Sequence, residues 1–246
     1  CSSDLGTGRS APLQCPNDEP TQPLAEGMKP DGMAKRMTAC REALQRLPHG
    51  DLRQYTTTIA MQDVDAVRAA LGVEQINVIG GSYGTRAVLE YQRHFPQRVR
   101  RAVIDGVAPP DMVLPESFSA DNQGALDAVW ASCEADADCK RRFPDLKGTW
   151  QTLLKSLPRP IEVRHPLTGK AEKLVLDRDT VLNLVRSPLY QPAVAAALPL
   201  AIHEAGLGRF DALFGIGAAM GGRGALAAGM HFSVVCARSE EHTSEL

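Results

Sequence analysis

The chain has 246 residues, of which 27 are Lys or Arg and 29 are Asp or Glu, so its formal net charge is −2. This near balance argues against a nucleic-acid-binding protein and against a polybasic membrane-surface protein, because both need clustered positive charge. With 43% hydrophobic and 23% charged residues, the composition is typical of a globular protein that buries a sizeable core.

The first predicted helices follow a polar segment. Gly6 to Pro48 is rich in Pro, Gly and polar residues and predicts a long loop followed by a helix around Ala34 to Leu47. From Thr57 the apolar residues recur at helical spacing and Gly72 follows the last of them as a stop signal. These apolar residues are Met61, Val64, Val67 and Leu71. The pattern predicts an amphipathic helix.

The next segment alternates strand and helix signals. Ile76 to Ile79 is a short apolar run flanked by glycine, which predicts a buried strand, and Gly80 to Gly84 predicts a sharp turn. Arg86 to His94 has helical character and is ended by a proline, and Val99 to Ile104 predicts a second strand. Strands alternating with helices over short connections predict an α/β protein with a parallel sheet covered by helices.

Beyond Pro110 the pattern becomes mainly helical. A β-hairpin is predicted, with Ile161 to Arg164 pairing against Lys173 to Leu176 across a turn at Gly169. The predicted helices are Ser119 to Cys133, Lys147 to Leu157, Thr180 to Val185, Ala193 to Ala205 and Phe210 to Ala219. The longest nearly uncharged apolar run, Pro192 to Ile202, falls short of the ~20 residues of a spanning helix, so no membrane span is expected.

These elements suggest a division into domains. We expect a partial core over 6–110, an inserted helical cap with a β-hairpin over 111–228, and a return to a core strand over 229–237, with the strand itself at Phe232 to Cys236. The end segments 1–5 and 238–246 resemble translations of a sequencing-library adapter. The expectation is therefore that both are non-native, that the chain is an internal fragment, and that its sheet is incomplete at both ends.

One motif carries chemistry. Gly80, Gly81, Ser82, Tyr83 and Gly84 match the GxSxG pattern, between a predicted strand and a predicted helix. In such a nucleophile elbow the serine adopts strained backbone angles, so that its hydroxyl stands clear of the sheet at the positive end of the following helix. Attack by the Ser82 hydroxyl on an acyl carbon would create an oxyanion beside the amide N–H of Tyr83.

This glycine-rich segment is open to other interpretations. It could be a turn without catalytic meaning, but the strand before it and the helix after it favour the elbow. A dinucleotide-binding GxGxxG fingerprint is not matched, because Ser82 stands where that motif needs glycine, and the GK[ST] of a P-loop is missing. No cofactor is therefore expected.

The cysteines favour disulfides over a metal site. Cys133 and Cys139 are six residues apart, which does not suit zinc, and no metal site is expected. Disulfides across this acidic loop and between Cys15 and Cys40 would fit an extracellular or periplasmic protein. Buried free thiols in a cytosolic protein remain the alternative, and the partner of Cys236 is left open.

Four segments carry a resemblance to a known family. These are GTGRSAPLQC from Gly6, DLRQYTTTIAMQDVDAVRAALG from Asp51, INVIGGSYGTRAVLEYQRHFPQRVRRAVIDGVAPP from Ile76, and HFSVVCA from His231. The chain resembles the secreted α/β-hydrolases related to bacterial tripeptidyl and prolyl aminopeptidases. The resemblance implies an α/β-hydrolase fold, a secreted or periplasmic location, and a serine exopeptidase that removes residues or short peptides from the N-terminus of its substrate.

The resemblance assigns only part of the catalytic machinery. It implies that Ser82 is the nucleophile and that the Tyr83 amide is one oxyanion donor. In the family, the second donor comes from an HGGPG-like loop upstream of Gly6, and the catalytic Asp and His follow Ala237. In the family, an Asp also precedes a segment with the sequence RGTG. This chain does not match that Asp, because Asp4 is out of register with it. We therefore expect this chain to be inactive by itself.

The remaining histidines and acidic residues offer few candidates for a catalytic base or acid. His94, His165, His203 and His231 are each expected to be surface or packing residues, and His242 to be non-native. Asp105 is the one candidate acid, because it ends the strand after the elbow, at the edge where ligands bind in parallel sheets. The resemblance makes it a structural anchor of the loop instead.

Three functions remain open. The first is a peptidase, which would need cap carboxylates to pair with the substrate's free amine. The candidates are Glu116, Glu134, Glu162 and Glu204. The second is an esterase or lipase, because the elbow does not distinguish amides from esters. The third is a non-enzymatic binding protein. The expected partner is a peptide or small acyl substrate, and the oligomeric state is left open.

Overall fold

The computed structural model describes residues 6–15, 21–28, 32–112, 116–221 and 227–241. Twelve α-helices lie in these ranges: α1 (Leu24–Gly27), α2 (Gly32–Gln45), α3 (Thr57–Ala70), α4 (Tyr83–His94), α5 (Phe118–Ala135), α6 (Ala137–Arg142), α7 (Leu146–Lys155), α8 (Arg178–Arg186), α9 (Pro192–Ala195), α10 (Leu198–Gly206), α11 (Asp211–Gly221) and α12 (Ala228–Glu241). The strands described are β1 (Ile76–Gly81), β2 (Val99–Asp105), β3 (Arg159–Arg164) and β4 (Ala171–Leu176).

The described residues form two compact units. One takes its residues from 1–17, 37–114 and 226–246, and the other from 18–36 and 115–225. The sequence-based division placed 18–36 with the first segment. These residues belong to the second unit because Leu24 and Met28 pack against its core and the Leu24 amide donates to Glu172, 2.7 Å away.

The first unit contains the parallel sheet. Strands β1 and β2 pair in parallel, with Val78 opposite Ala102 and Gly81 opposite Asp105. They are joined through α4, and a strand–helix–strand crossover is the usual way to connect parallel strands. Helices α3 and α4 cover the sheet with Ala60, Met61 and Tyr91, which pack against Ile76 and Val78 among others. The predicted strands and the elbow between them are therefore present, but the prediction that β1 is buried is wrong, because Ile79 is 80% exposed.

Helix α3 departs from its predicted apolar face. Thr56 caps its first turn, and Gly72, at φ +69°, follows its end as the sequence predicts. Met61 is buried, but Val67 and Leu71 are 59% and 70% exposed. Arg68 is buried in their place, because its guanidinium pairs with Asp65 and donates to the Val73 carbonyl.

The predicted strand Phe232 to Cys236 is wrong, because this segment lies inside helix α12. Met230 and Val234 are four residues apart and bury their side chains together against Leu13, Leu44 and other residues of one cluster. Side chains four residues apart share one face of a helix, whereas the apolar run alone did not separate a helix from a strand. The Cys236 side chain and residues 1–5 and 242–246, including His242, lie outside the described parts.

The second unit is mainly helical and contains the predicted hairpin. Strands β3 and β4 pair antiparallel, with Ile161 opposite Leu174 and Arg164 opposite Ala171. Its core includes Trp130, Trp150 and Phe210, together with aliphatic residues from the helices and the hairpin. The predicted helix Ala193 to Ala205 is divided into α9 and α10, and α10 carries Pro199 in its first turn, where a proline is tolerated.

Both predicted disulfides are present. Cys15 is bonded to Cys40 in the first unit and Cys133 to Cys139 in the second, with Cα–Cα distances of 4.9 and 5.1 Å. Within the described residues, no helix combines the length and apolar character needed to cross a membrane.

Candidate active site

Ser82 lies at a sharp turn between β1 and α4. Its backbone angles are φ 52° and ψ −122°, and of the described residues only Ala11 shares a positive φ without being glycine. A non-glycine residue is held in such angles only where the surrounding structure over-determines them. The Ser82 side chain is exposed, and its hydroxyl makes no hydrogen bond to the helix that it precedes.

Gly80 allows the chain to turn back on itself. A Cβ atom at Gly80 would lie 2.2 Å from the carbonyl oxygen of Gly84 and 2.9 Å from the amide nitrogen of Thr85. A Cβ at Gly84, in contrast, would meet none of the described atoms within 4 Å. The two outer glycines of the motif therefore differ, since only Gly80 is required by close backbone approach.

Backbone hydrogen bonds fix Ser82 on both sides. Its N–H donates to the carbonyl of Asp105 at 3.0 Å, so the elbow is tied to the end of β2. Its carbonyl accepts from the amide of Thr85 at 3.0 Å and from the Thr85 hydroxyl at 2.7 Å. Because β1 and β2 are parallel and pair up to Gly81 and Asp105, the serine lies where both strands end.

Tyr83 is the first residue of α4. Its amide therefore belongs to the first turn, where N–H groups point out of the helix and favour negative charge. The Tyr83 hydroxyl lies 2.9 Å from the Thr57 hydroxyl, so its side chain extends toward the start of α3. The role of the Tyr83 amide as oxyanion donor stays a prediction.

The model of the α/β-hydrolase fold family matches residues 6–190. The chain belongs to this family. The fold class expected from the sequence is thereby confirmed, and the strand–elbow–helix geometry around Ser82 is that of an α/β-hydrolase.

Several named peptidases are similar to this α/β-hydrolase. The tripeptidyl aminopeptidase of Streptomyces lividans is 33% identical over 158 residues, covering 59% of this chain and 25% of that protein. The serine protease Hip1 of Mycobacterium tuberculosis is 30% identical, covering 57% and 28%. The proline iminopeptidase of Xylella fastidiosa is 33% identical, covering 58% and 39%. The matched part of this chain thus spans about a quarter to two-fifths of each relative.

Asp105 contributes its backbone to the elbow. It is the last residue of β2, and its carbonyl accepts the Ser82 amide proton. Its side chain is exposed and makes no hydrogen bond or ion pair to any part of the chain that the structure describes. This placement agrees with a role of Asp105 as a structural anchor of the loop. The catalytic role of its carboxyl group stays a prediction.

Four of the described histidines, His94, His165, His203 and His231, have contacts of their own, whereas the buried Nε2 of His49 has no hydrogen-bond partner among the described residues. His94 Nε2 lies 2.9 Å from Glu90 on α4, and the rings of His203 and His231 pack beside Phe143 and Phe232. His165 is 2% exposed in the hairpin turn, where Nδ1 accepts the amide protons of Leu167 and Thr168.

Its Nε2 therefore carries the ring proton and donates to the carbonyl of Gln22, 3.1 Å away. His165 thus fastens one backbone turn to another. None of these contacts joins an imidazole to the Ser82 hydroxyl.

Charged side chains hold α4 against α3. Glu90 accepts from the Thr58 hydroxyl at 2.6 Å and pairs with Arg93 and His94. These groups, Arg93 foremost, lower the pKa of Glu90 from 4.5 to about 2. Nearby, the Arg68 guanidinium lowers the pKa of Asp65, which also accepts from the Tyr91 hydroxyl. The helix that presents Ser82 is therefore braced by polar contacts as well as by apolar packing.

The four carboxylates considered for substrate amines lie in the second unit. Glu204 pairs with Arg209, which lowers the Glu204 pKa. Glu162 stands opposite Lys173 in the hairpin, and Glu134 lines a small cavity beside Cys133. Glu116 is exposed. Across the described ranges, no three His, Cys, Asp or Glu side chains gather as a group able to hold a metal ion.

Thr85 and Arg86 were missed by sequence reasoning. Both side chains are buried, with 0% and 5% of their surface exposed, and both lie in the first turn of α4. The sequence pattern predicted that this helix begins at Arg86, whereas it begins at Tyr83. The signal that could have found them is their position directly after the GxSxG motif, where side chains of the first helical turn face the chain that follows the next strand.

Proposed function

We propose that this protein is a serine hydrolase that cleaves peptides through an acyl-enzyme, with Ser82 as the nucleophile. The observation that carries the proposal is the backbone of Ser82, a strained and exposed serine between a parallel strand and a helix. A structural turn at this position would not need a non-glycine residue at φ 52°. The family and the peptidase names of the similar proteins support hydrolysis of an acyl bond.

The reaction begins with attack of the Ser82 oxygen on the carbonyl carbon of the substrate. The hydroxyl proton passes to a general base, and the carbonyl oxygen becomes an oxyanion near the Tyr83 amide, which donates a hydrogen bond to it. Collapse of this intermediate breaks the scissile bond and releases the amine, which takes up the proton. Water then attacks the acyl-enzyme by the same route and frees Ser82.

We further propose that the substrates are peptides with a free N-terminus, as the names of the similar aminopeptidases suggest. The protein would act outside the cytoplasm, in the periplasm or outside the cell. Its two disulfides support this location, because such bonds persist in oxidising compartments.

The test uses the protein expressed from its complete gene. Hydrolysis of peptidyl anilides with free and with acetylated N-termini is compared with hydrolysis of fatty acyl esters. We expect cleavage of the free peptides, and a loss of at least about 1,000-fold in kcat for Ser82→Ala. The matched control is Ser156→Ala, which removes a hydroxyl that donates to the Leu153 carbonyl at the end of α7.

Preference for fatty acyl esters would replace the peptidase by an esterase. Hydrolysis that survives in Ser82→Ala would refute the proposed nucleophile. A stably folded protein without any hydrolysis would support a binding protein on the same fold.

A further inference from the structure

The Thr85 hydroxyl makes two hydrogen bonds whose directions are fixed. Thr85 is fully buried, and its hydroxyl oxygen lies 2.8 Å from the amide nitrogen of Ala108 and 2.7 Å from the carbonyl oxygen of Ser82. An amide can only donate and a carbonyl can only accept. The hydroxyl therefore accepts from Ala108 and donates its own proton to Ser82.

These bonds close a ring between the elbow and the chain after β2. The Ser82 amide donates to the carbonyl of Asp105, while the Thr85 hydroxyl joins the Ser82 carbonyl to the Ala108 amide. Gly106, at φ +63°, lies within the ring and turns the chain away from the strand. Both ends of the Ser82 residue are thus tied to the same short segment, 105–108.

Arg86 extends this connection along the same segment. It is buried, and its guanidinium donates to the carbonyl of Pro110 and reaches the carbonyl of Met112 at 3.5 Å. Two consecutive residues of α4 therefore hold three positions, 108, 110 and 112, of the chain that leaves β2. That chain departs from the edge of the sheet at which Ser82 lies, because β1 and β2 pair up to Gly81 and Asp105.

We propose that Thr85 is a positioning residue, whose buried hydroxyl locks the elbow to segment 105–108 and so holds the Ser82 oxygen in its reactive direction. A strained serine keeps its angles only if its neighbours cannot relax. Removing the hydroxyl leaves the half-buried Ala108 amide without its acceptor and lets the segment separate from α4. The role in catalysis rests on the proposed function, whereas the role in ordering segment 105–108 does not.

The experiment compares Thr85→Val, which keeps the shape but removes the hydroxyl, with Thr85→Ser, which keeps the hydroxyl. The matched control is Thr149→Val, which removes a hydroxyl that donates to the Asp145 carbonyl in α7. All variants are expressed from the complete gene and studied at a temperature where thermal melts show each to be folded. Two quantities are measured: the rate at which a fluorophosphonate probe labels Ser82, and hydrogen exchange of the amides in 105–112.

For Thr85→Val we expect labelling to slow at least about 10-fold and exchange at Ala108 to accelerate at least about 10-fold, while Thr85→Ser and Thr149→Val stay within about threefold of the wild type. If the probe labels Ser82 in Thr85→Val at the wild-type rate, the proposal is overturned. Unchanged hydrogen exchange of the Ala108 amide in this variant would also overturn it. If Thr85→Val does not fold, slow labelling by Thr85→Ser would overturn it in the same way. If the wild type is not labelled at all, the proposed function fails, and the exchange data alone decide whether Thr85 orders the segment.

Discussion

Replacing the two outer glycines of the elbow, one at a time, tests whether close backbone approach shapes this site. At Gly80 an added Cβ would lie 2.2 Å from the Gly84 carbonyl oxygen, whereas ordinary contacts lie at 3.4 Å or more. The first turn of α4 must therefore retreat by about 1 Å, and the backbone cannot do so without disturbing the bonds between Thr85 and Ser82. At Gly84 the same substitution meets none of the described atoms.

The expected magnitudes follow from this contrast. Forced displacement of packed backbone costs about 2–4 kcal/mol, so Gly80→Ala should lower Tm by roughly 5–12 °C. Gly84→Ala should leave Tm within about 2 °C or raise it, because alanine is favoured over glycine in a helix. The assay is thermal unfolding by circular dichroism, together with the rate of fluorophosphonate labelling at 25 °C. Equal losses of stability in the two variants would refute the argument, because both share the motif and only one has the clash.

Three further predictions address the acid, the brace of α4 and the disulfides. Asp105→Asn should keep kcat/KM within about threefold, since only its backbone contacts Ser82; a loss near 10⁴-fold would instead make it the triad acid. Because the folded-state pKa of Glu90 is lowered from 4.5 to about 2, ionised Glu90 stabilises the fold above pH 4.5, and this contribution is lost as the pH falls through about 2. Glu90→Gln should therefore lower the free energy of unfolding in urea by roughly 1–2 kcal/mol at pH 7 and by much less near pH 2. The figure is small because Arg93 is mostly exposed and water weakens the ion pair. An equal loss at both pH values would contradict the prediction. Replacing Cys15 and Cys40 by serine should destabilise by about 1 kcal/mol more than replacing Cys133 and Cys139, because the sequence separations are 25 and 6, and the reverse order in urea unfolding would contradict the loop-entropy argument.

The elements around the elbow could be predicted because their signals are local. A short apolar run, a glycine-rich turn and a helix ended by proline fix β1, the bend and α4 within a few residues. The hairpin was predicted for the same reason, since Gly169 marks its turn between two short segments that pair. The sequence could not show whether an apolar run forms a helix or a strand where tertiary packing determines the outcome. In α12, Met230 and Val234 are buried together in one cluster, and this packing requires a helix.

The site itself was predictable only at its centre. Ser82 stands out through the spacing of its glycines, whereas the bonds that hold it come from residues without a pattern of their own. The Asp105 carbonyl and the Ala108 amide, which bond to Ser82 and Thr85, are distant from the elbow in sequence, and the parallel pairing of β1 with β2 brings them beside it. The same register explains why Asp105 seems a candidate acid in the sequence and serves the elbow through its backbone in the structure.

The central claim is that the Ser82 hydroxyl bonds covalently to an acyl carbon, and the most direct measurement is to map the residue that a fluorophosphonate modifies. The protein from the complete gene is labelled, digested and sequenced by tandem mass spectrometry. We predict that the phosphonate resides on Ser82 and that prior incubation with a peptide substrate slows its attachment. Modification of a different residue in an enzyme that hydrolyses peptides, or hydrolysis without any modification, would contradict the account.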